Sequence, residues 1–180
     1  LQELTNESDA RQDLLDGLKK LVGDIDARVD RFTLDLRPVV LDDLGLDAAL
    51  QAHFNQWTEV HGIELNSHLA GLNSAKLPFE LVTTVFRVVQ ESLTNVARHS
   101  QASSVDVIVE LSNGEIKVVV EDNGNGQQRP IGPQSYGLMG MRERVEGLGG
   151  QFRAESSNES GFSVFVRVPV VSTSEAAVLS

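Results

Sequence analysis

Near the end of one apolar-patterned segment, VVQESLTNVARHS at residues 88–100, four polar side chains recur at helical spacing. At roughly 100° per residue, Glu91, Asn95, Arg98 and His99 fall within an arc of about 100°. Val82, Phe86, Val89, Leu93 and Val96 occupy the opposite side. These residue types suit phosphate and metal chemistry. Asn95 offers a neutral oxygen to Mg²⁺, an ion that takes oxygen ligands and keeps water while bound to phosphates. Glu91, one turn earlier, can accept a hydrogen bond from a metal-bound water or an attacking group. Arg98 and His99 can meet phosphate oxygens. Plain solvation also produces polar helix faces, so the stretch alone leaves both readings open.

Two further stretches carry chemistry. DNGNG at 122–126 follows the strand-like IKVVVE. Asn-Gly after alternating apolar residues is a hairpin signal, yet the chain continues as QQRPIGPQSYG, a loop of the length that tends to be functional. Glycines at 124 and 126 would let backbone approach a flat ring closely, and Asp122 could accept a hydrogen bond from an exocyclic amine such as that of adenine. GLMGMRER at 137–144 places Gly137 and Gly140 at a loop-to-helix junction. There free N–H groups and the positive end of the helix dipole favour phosphate. The spacing matches neither the dinucleotide-binding fingerprint nor a Walker A loop, so an unliganded helix start is the competing explanation.

The elements that must position these groups follow from periodicity. Residues 9–37 read as a long helix with a narrow seam (Leu14, Leu18, Leu21, Ile25, Phe32, Leu36), suited to a helical hairpin or coiled-coil dimer. Pro38 ends it. Helices are expected at 42–60, from Pro78 to 99, and at 137–148. Strands are expected at 63–69, 105–111, 116–121, 151–155 and 162–168, and the tail from Ser172 shows no pattern. This order predicts an α+β domain, helices on one face of a mixed or antiparallel sheet.

Composition narrows the partners. The 180 residues include no cysteine, which excludes disulfides, thiolate metal sites and cysteine nucleophiles. A net charge of −11 argues against a general nucleic-acid binder, because phosphate neutralisation needs a basic surface. No apolar run approaches the roughly 18 residues of a membrane span, and the expected location is the cytoplasm.

Taken in order, VVQESLTNVARHS, DNGNG and YGLMGMRERVEGLGG resemble the N, G1 and G2 boxes of the GHKL ATPase superfamily. More narrowly they resemble the catalytic domains of sensor histidine kinases of the nitrate/nitrite-sensor and hexose-phosphate-sensor type. LRPVVLDDLGLDAAL at 36–50 is similar to the stretch that joins the dimerisation helix to the ATPase domain in that group. The resemblance implies a Bergerat-type two-layer α/β sandwich with ATP and Mg²⁺ between helix and lid, preceded by a long helix from a dimerisation hairpin. Residues 1–40 would be part of the dimerisation and phosphotransfer region, 41–170 the ATP-binding domain, and 171–180 a disordered tail. Glu91 would be the catalytic or water-orienting carboxylate and Asn95 the Mg²⁺ ligand, with Arg98 and His99 near phosphates. Asp122 would hold the adenine amine, and Gly124 and Gly126 would shape its pocket. Residues 127–136 would form a short lid, and Gly137, Leu138, Met139, Gly140 and Met141 would bring backbone N–H groups to the phosphates.

Some positions depart from that pattern. Ser135 stands where a glycine is frequent, and Gly161 is followed by Phe162 and Ser163 where threonine is frequent. The phospho-accepting His of the group lies in an HD box, yet none of His53, His61, His68 and His99 is followed by Asp. The expectation is therefore a kinase portion that binds ATP and transfers its γ-phosphoryl to a His outside this chain. Its partners would be that His region, a response regulator and, in the full-length protein, a second copy. A catalytically weak nucleotide-binding and dimerisation module is the alternative. The acidic charge, short lid and linker disfavour an ATPase of the DNA-repair or chaperone kind.

Overall fold

The computed structural model describes residues 45–72, 77–125, 136–157 and 161–170. The expected helix at 9–37, all of the lid expected at 127–136 except Tyr136, Gly126 and the tail from Ser172 lie outside those residues. The described elements are α1 (Gly45–His61), β1 (Glu64–Ala70), α2 (Phe79–Asn95), a π turn (Val96–Ser100), β2 (Ser104–Ser112), β3 (Glu115–Asp122), α3 (Tyr136–Gly147), β4 (Gln151–Ser157) and β5 (Gly161–Pro169). The expected element order is observed.

The strands form a five-stranded mixed sheet in the order β1-β2-β3-β5-β4. Only β1 and β2 run parallel, and the remaining pairs are antiparallel. Alternation decides which residues face the helices. Val105, Val107 and Val109 lie in register with Asp122, Val120 and Val118, and Val120 and Val118 continue to Val164 and Val166. All but Asp122 join one core with Leu46, Leu50, Phe54 and Trp57 of α1, most of the apolar residues of α2, and Leu138, Met141 and Val145 of α3. The three helices therefore cover a single face. Ile108, Val119 and Phe165 form a row across the other face. Each fully buried Leu or Val stabilises the fold by about 1.5–3 kcal/mol, so this one-sided core fixes the sheet register that sets the ends of β3 and β5.

β2 and β3 join through a tight turn at Asn113 and Gly114, both at positive φ (52° and 73°), the conformation that an Asn-Gly hairpin requires. DNGNG carries the same dipeptide with a different outcome. β3 ends at Asp122, the next described element is α3, and the strand paired on β3's other side is β5. The hairpin explanation of DNGNG thus fails.

Candidate functional site

α2 is a central helix. From Thr84 to Val89 every residue is buried, including Arg87, whose Nη1 donates to Gln90 Oε1 at 2.6 Å. A surface helix would keep one wet face along its whole length. Beyond Val89, Glu91 and Asn95 are half-buried rather than solvated.

The α-helix does not reach 99 as its apolar period predicts. It passes at Val96 into a π turn that runs to Ser100, a widening found frequently at functional sites. Ser100 Oγ donates to the Val96 carbonyl (2.8 Å) and accepts the Ala102 N–H (3.0 Å). Gln101, at φ 53°, terminates the turn in the left-handed region. Arg98 and His99 ride on this turn and are exposed, whereas Ser100 is buried.

Two motifs meet the α2–π spine. A Cβ on Gly137 would fall on the Glu91 carboxylate, so a larger residue there would make that side chain move away from the start of α3. One turn on, Ser92 Oγ approaches Met141 Sδ at 3.8 Å. Met141 is fully buried and Leu138 nearly so. Their side chains belong to the core. Met139 is exposed, and Gly140 lies beside the Arg144 guanidinium. Arg142 ties α3 to β4 by lying over the Phe152 ring (5.2 Å) and donating to the Phe152 carbonyl (3.4 Å).

The loop after β3 closes on the same spine from the other side. A Cβ on Gly124 would collide with the Ser100 carbonyl, and that carbonyl accepts the Asn125 N–H at 3.0 Å. Asn125 Nδ2 donates to Gln101 Oε1 (2.9 Å). Asn123 Oδ1 accepts the N–H groups of Ser103 and Ser104 (2.9 and 3.0 Å), and its Nδ2 donates to Ser103 Oγ.

Asp122 is 5% exposed. Its Oδ1 accepts the Gly124 N–H at 2.8 Å, and the Phe162 backbone N–H also donates to the carboxylate. Burial pushes the carboxyl above the usual aspartate range, and these two N–H bonds pull it partway back. Gly161, at φ +85°, sits so close that a Cβ there would strike the Asp122 carbonyl.

The structure therefore brings together Glu91, Gly137 and the start of α3 at one contact, and Asp122, Gly124, Gly161 and the end of the π turn at another. Asn95 lies one turn beyond Glu91, and Arg98 and His99 are further along at the surface. Sequence reasoning misses Ser92, Ser100 and Asn123, which hold the motifs against one another. It marks Gly161 only as the residue before Phe162, although a glycine opening a strand signals close backbone approach.

No protein-only metal cage exists here, since among the described residues no cluster of three or more His, Cys, Asp or Glu could hold an ion. The half-buried Asn95 offers one neutral oxygen to a Mg²⁺ that would complete its shell with water and phosphate. Gly137, Gly124 and Gly161 pack against Glu91, Ser100 and Asp122, which draws the three motifs together.

A mixed sheet backed on one face by helices, with a buried Asp at a strand end and a Glu on the central helix, is the layout of a GHKL-type ATPase domain. The family described as histidine kinase-, DNA gyrase B- and HSP90-like ATPase matches residues 81–172. The chain is 34% identical over 165 residues to the oxygen sensor histidine kinase NreB of Staphylococcus carnosus, covering 89% of this chain and 47% of that one. It is 35% identical over 154 residues to the signal transduction histidine-protein kinase/phosphatase DegS of Brevibacillus brevis, covering 85% and 40%. Among solved structures, the histidine kinase domain from the Erythrobacter litoralis EL346 blue-light activated histidine kinase superposes with a TM-score of 0.55 at 24% identity, over 69% of this chain and 61% of that one. The catalytic domain of histidine kinase ThkA does so with a TM-score of 0.55 at 15% identity, over 69% and 90%. These two likenesses show the fold. The chain belongs to the histidine kinase-, DNA gyrase B- and HSP90-like ATPase family, and the relatives named here are sensor histidine kinases. It spans less than half the length of those curated relatives. No described helix is long and apolar enough to cross a membrane.

Proposed function

We propose that this chain is the ATP-binding catalytic portion of a cytoplasmic sensor kinase region, directing the γ-phosphoryl of ATP to a histidine outside the chain. The observation that carries this reading is the convergence of Glu91 with Gly137 on one side of the α2–π spine and of the Asp122 loop on the other. ATP with Mg²⁺, when bound, supplies the transferable phosphoryl group and the cation that offsets its charge.

The residues do the rest by position and electrostatics. Asp122, held by the Gly124 and Phe162 N–H groups, has acceptor capacity left for the amine of adenine. Asn95 would hold the Mg²⁺ with a neutral oxygen, which suits a chain that is already acidic. Glu91 sits one turn away, where it can orient or take the proton of the attacking imidazole or a water. Gly137, Leu138 and Met139 fall within the first four residues of α3, where backbone N–H groups can meet phosphate, whereas those of Gly140 and Met141 bond within the helix. Exposed Arg98 and His99 can reach phosphate oxygens. The partners on this reading are the phospho-accepting His region of the same or a second kinase chain, and a response regulator downstream.

The test is phosphorylation in trans of a separate fragment bearing an HD box from a kinase of this group. Glu91→Gln should bind Mg²⁺-ATP as the wild type does and transfer at least about 100-fold more slowly. Unchanged transfer by Glu91→Gln would remove the catalytic role of that carboxylate. Failure of the wild type to transfer at saturating nucleotide, with both fragments folded, would favour a nucleotide-binding module without turnover.

A further inference from the structure

We propose that Phe162 is the aromatic wall of the base pocket, supplying affinity for any purine, while Asp122 alone discriminates between bases. The inference rests on the nucleotide-binding reading above.

Strand register carries the placement. Glu121 pairs with Ser163, and Val120 with Val164. The next residues outward, Asp122 and Phe162, therefore stand side by side on the helix-facing side of the sheet. Their adjacency is confirmed by the Phe162 N–H, which donates to the Asp122 carboxylate. Neighbouring side chains on one sheet face have Cβ atoms roughly 4.5–5.5 Å apart, so ring and carboxylate share one rim. The Phe162 side chain packs against the core, and the residue stays partly exposed near the start of β5.

The two groups differ in what they can read. A carboxylate offers acceptors and no donor, so Asp122 favours a base edge presenting an amine and disfavours one presenting a carbonyl. A phenyl ring has neither donor nor acceptor. It gains contact area with any purine, as aromatic side chains do wherever bases are bound without sequence preference. Gly161 makes both placements possible, because its positive φ and missing Cβ let the start of β5 close on the Asp122 carbonyl.

The experiment is competition binding of Mg²⁺-ATP and Mg²⁺-ITP, inosine carrying a carbonyl where adenosine carries the amine, to the wild type, Phe162→Ala and Phe162→Leu. Circular dichroism verifies the fold, and the leucine variant keeps the test valid if alanine unfolds. Phe162→Ala should weaken both nucleotides by about tenfold and Phe162→Leu by less, with the ATP:ITP ratio unchanged. Wild-type ATP affinity in both variants would overturn the wall. A shifted ATP:ITP ratio would overturn the division of labour. No ATP binding by the wild type would instead overturn the nucleotide reading itself.

Discussion

The two ends of the candidate site are built in opposite ways. At the Asp122 end the carboxylate is buried, takes two backbone N–H bonds, and is hemmed in by Gly124 and Gly161. At the Arg98–His99 end the side chains are exposed on a single π turn. The first end is preorganised, its geometry over-determined by the sheet. The second has charge without enclosure, and a phosphate arriving there must compete with water and salt. On the proposed reading, recognition of the base would be written into the fold, whereas the phosphate end would rely on the ligand to complete it.

Preorganisation has a cost that runs through pH. The Asp122 carboxyl is held above its ordinary 3.8, so the folded chain binds that proton more tightly than the unfolded chain does. Ionisation of Asp122 therefore subtracts from stability as pH rises through the raised value. Removing the charge should relieve that cost at neutral pH, and the relief should vanish below the usual aspartate range.

The contrast can be broken from either end. Gly161→Ala should do the most damage, since it forces a side chain into positive φ and into the Asp122 carbonyl. Strain of about 1–3 kcal/mol plus overpacking of similar size should lower the melting temperature by roughly 10 °C and abolish nucleotide binding. A variant that melts like the wild type would show the base end to be less rigid than its geometry implies. Arg98→Ala should leave the melting temperature within about 2 °C and weaken ATP by only about threefold at low salt. That difference should fade at high ionic strength. A loss of tenfold or more, insensitive to salt, would mean that the phosphate end is as preorganised as the base end.

Much of this was legible in the chain, and the failures have physical causes. Alternation in β2 and β3 revealed the sheet because only one face carries the core. The polar face of α2 could not be told from a wet surface by period alone. What separates them is the all-round burial of Thr84 to Val89, and burial depends on α1 and α3. The change to a π turn at Val96 was invisible, since one extra residue per turn leaves no mark in so short a stretch. Asn113-Gly114 and the Asn-Gly pairs of DNGNG are alike locally and differ only in what the chain does next. Ser100 and Asn123 were missed because their work is to bond backbone brought near by the fold.

The most direct test is thermal melting of the wild type and Asp122→Asn at pH 7, each with and without saturating Mg²⁺-ATP. Ligand binding to the folded state alone raises stability by mass action, so the wild type should gain several degrees. Without nucleotide, Asp122→Asn should melt no lower than the wild type, and ATP should leave it nearly unmoved. An equal ATP-induced rise in both proteins would contradict the assignment of Asp122 to the base and, with it, the proposed site.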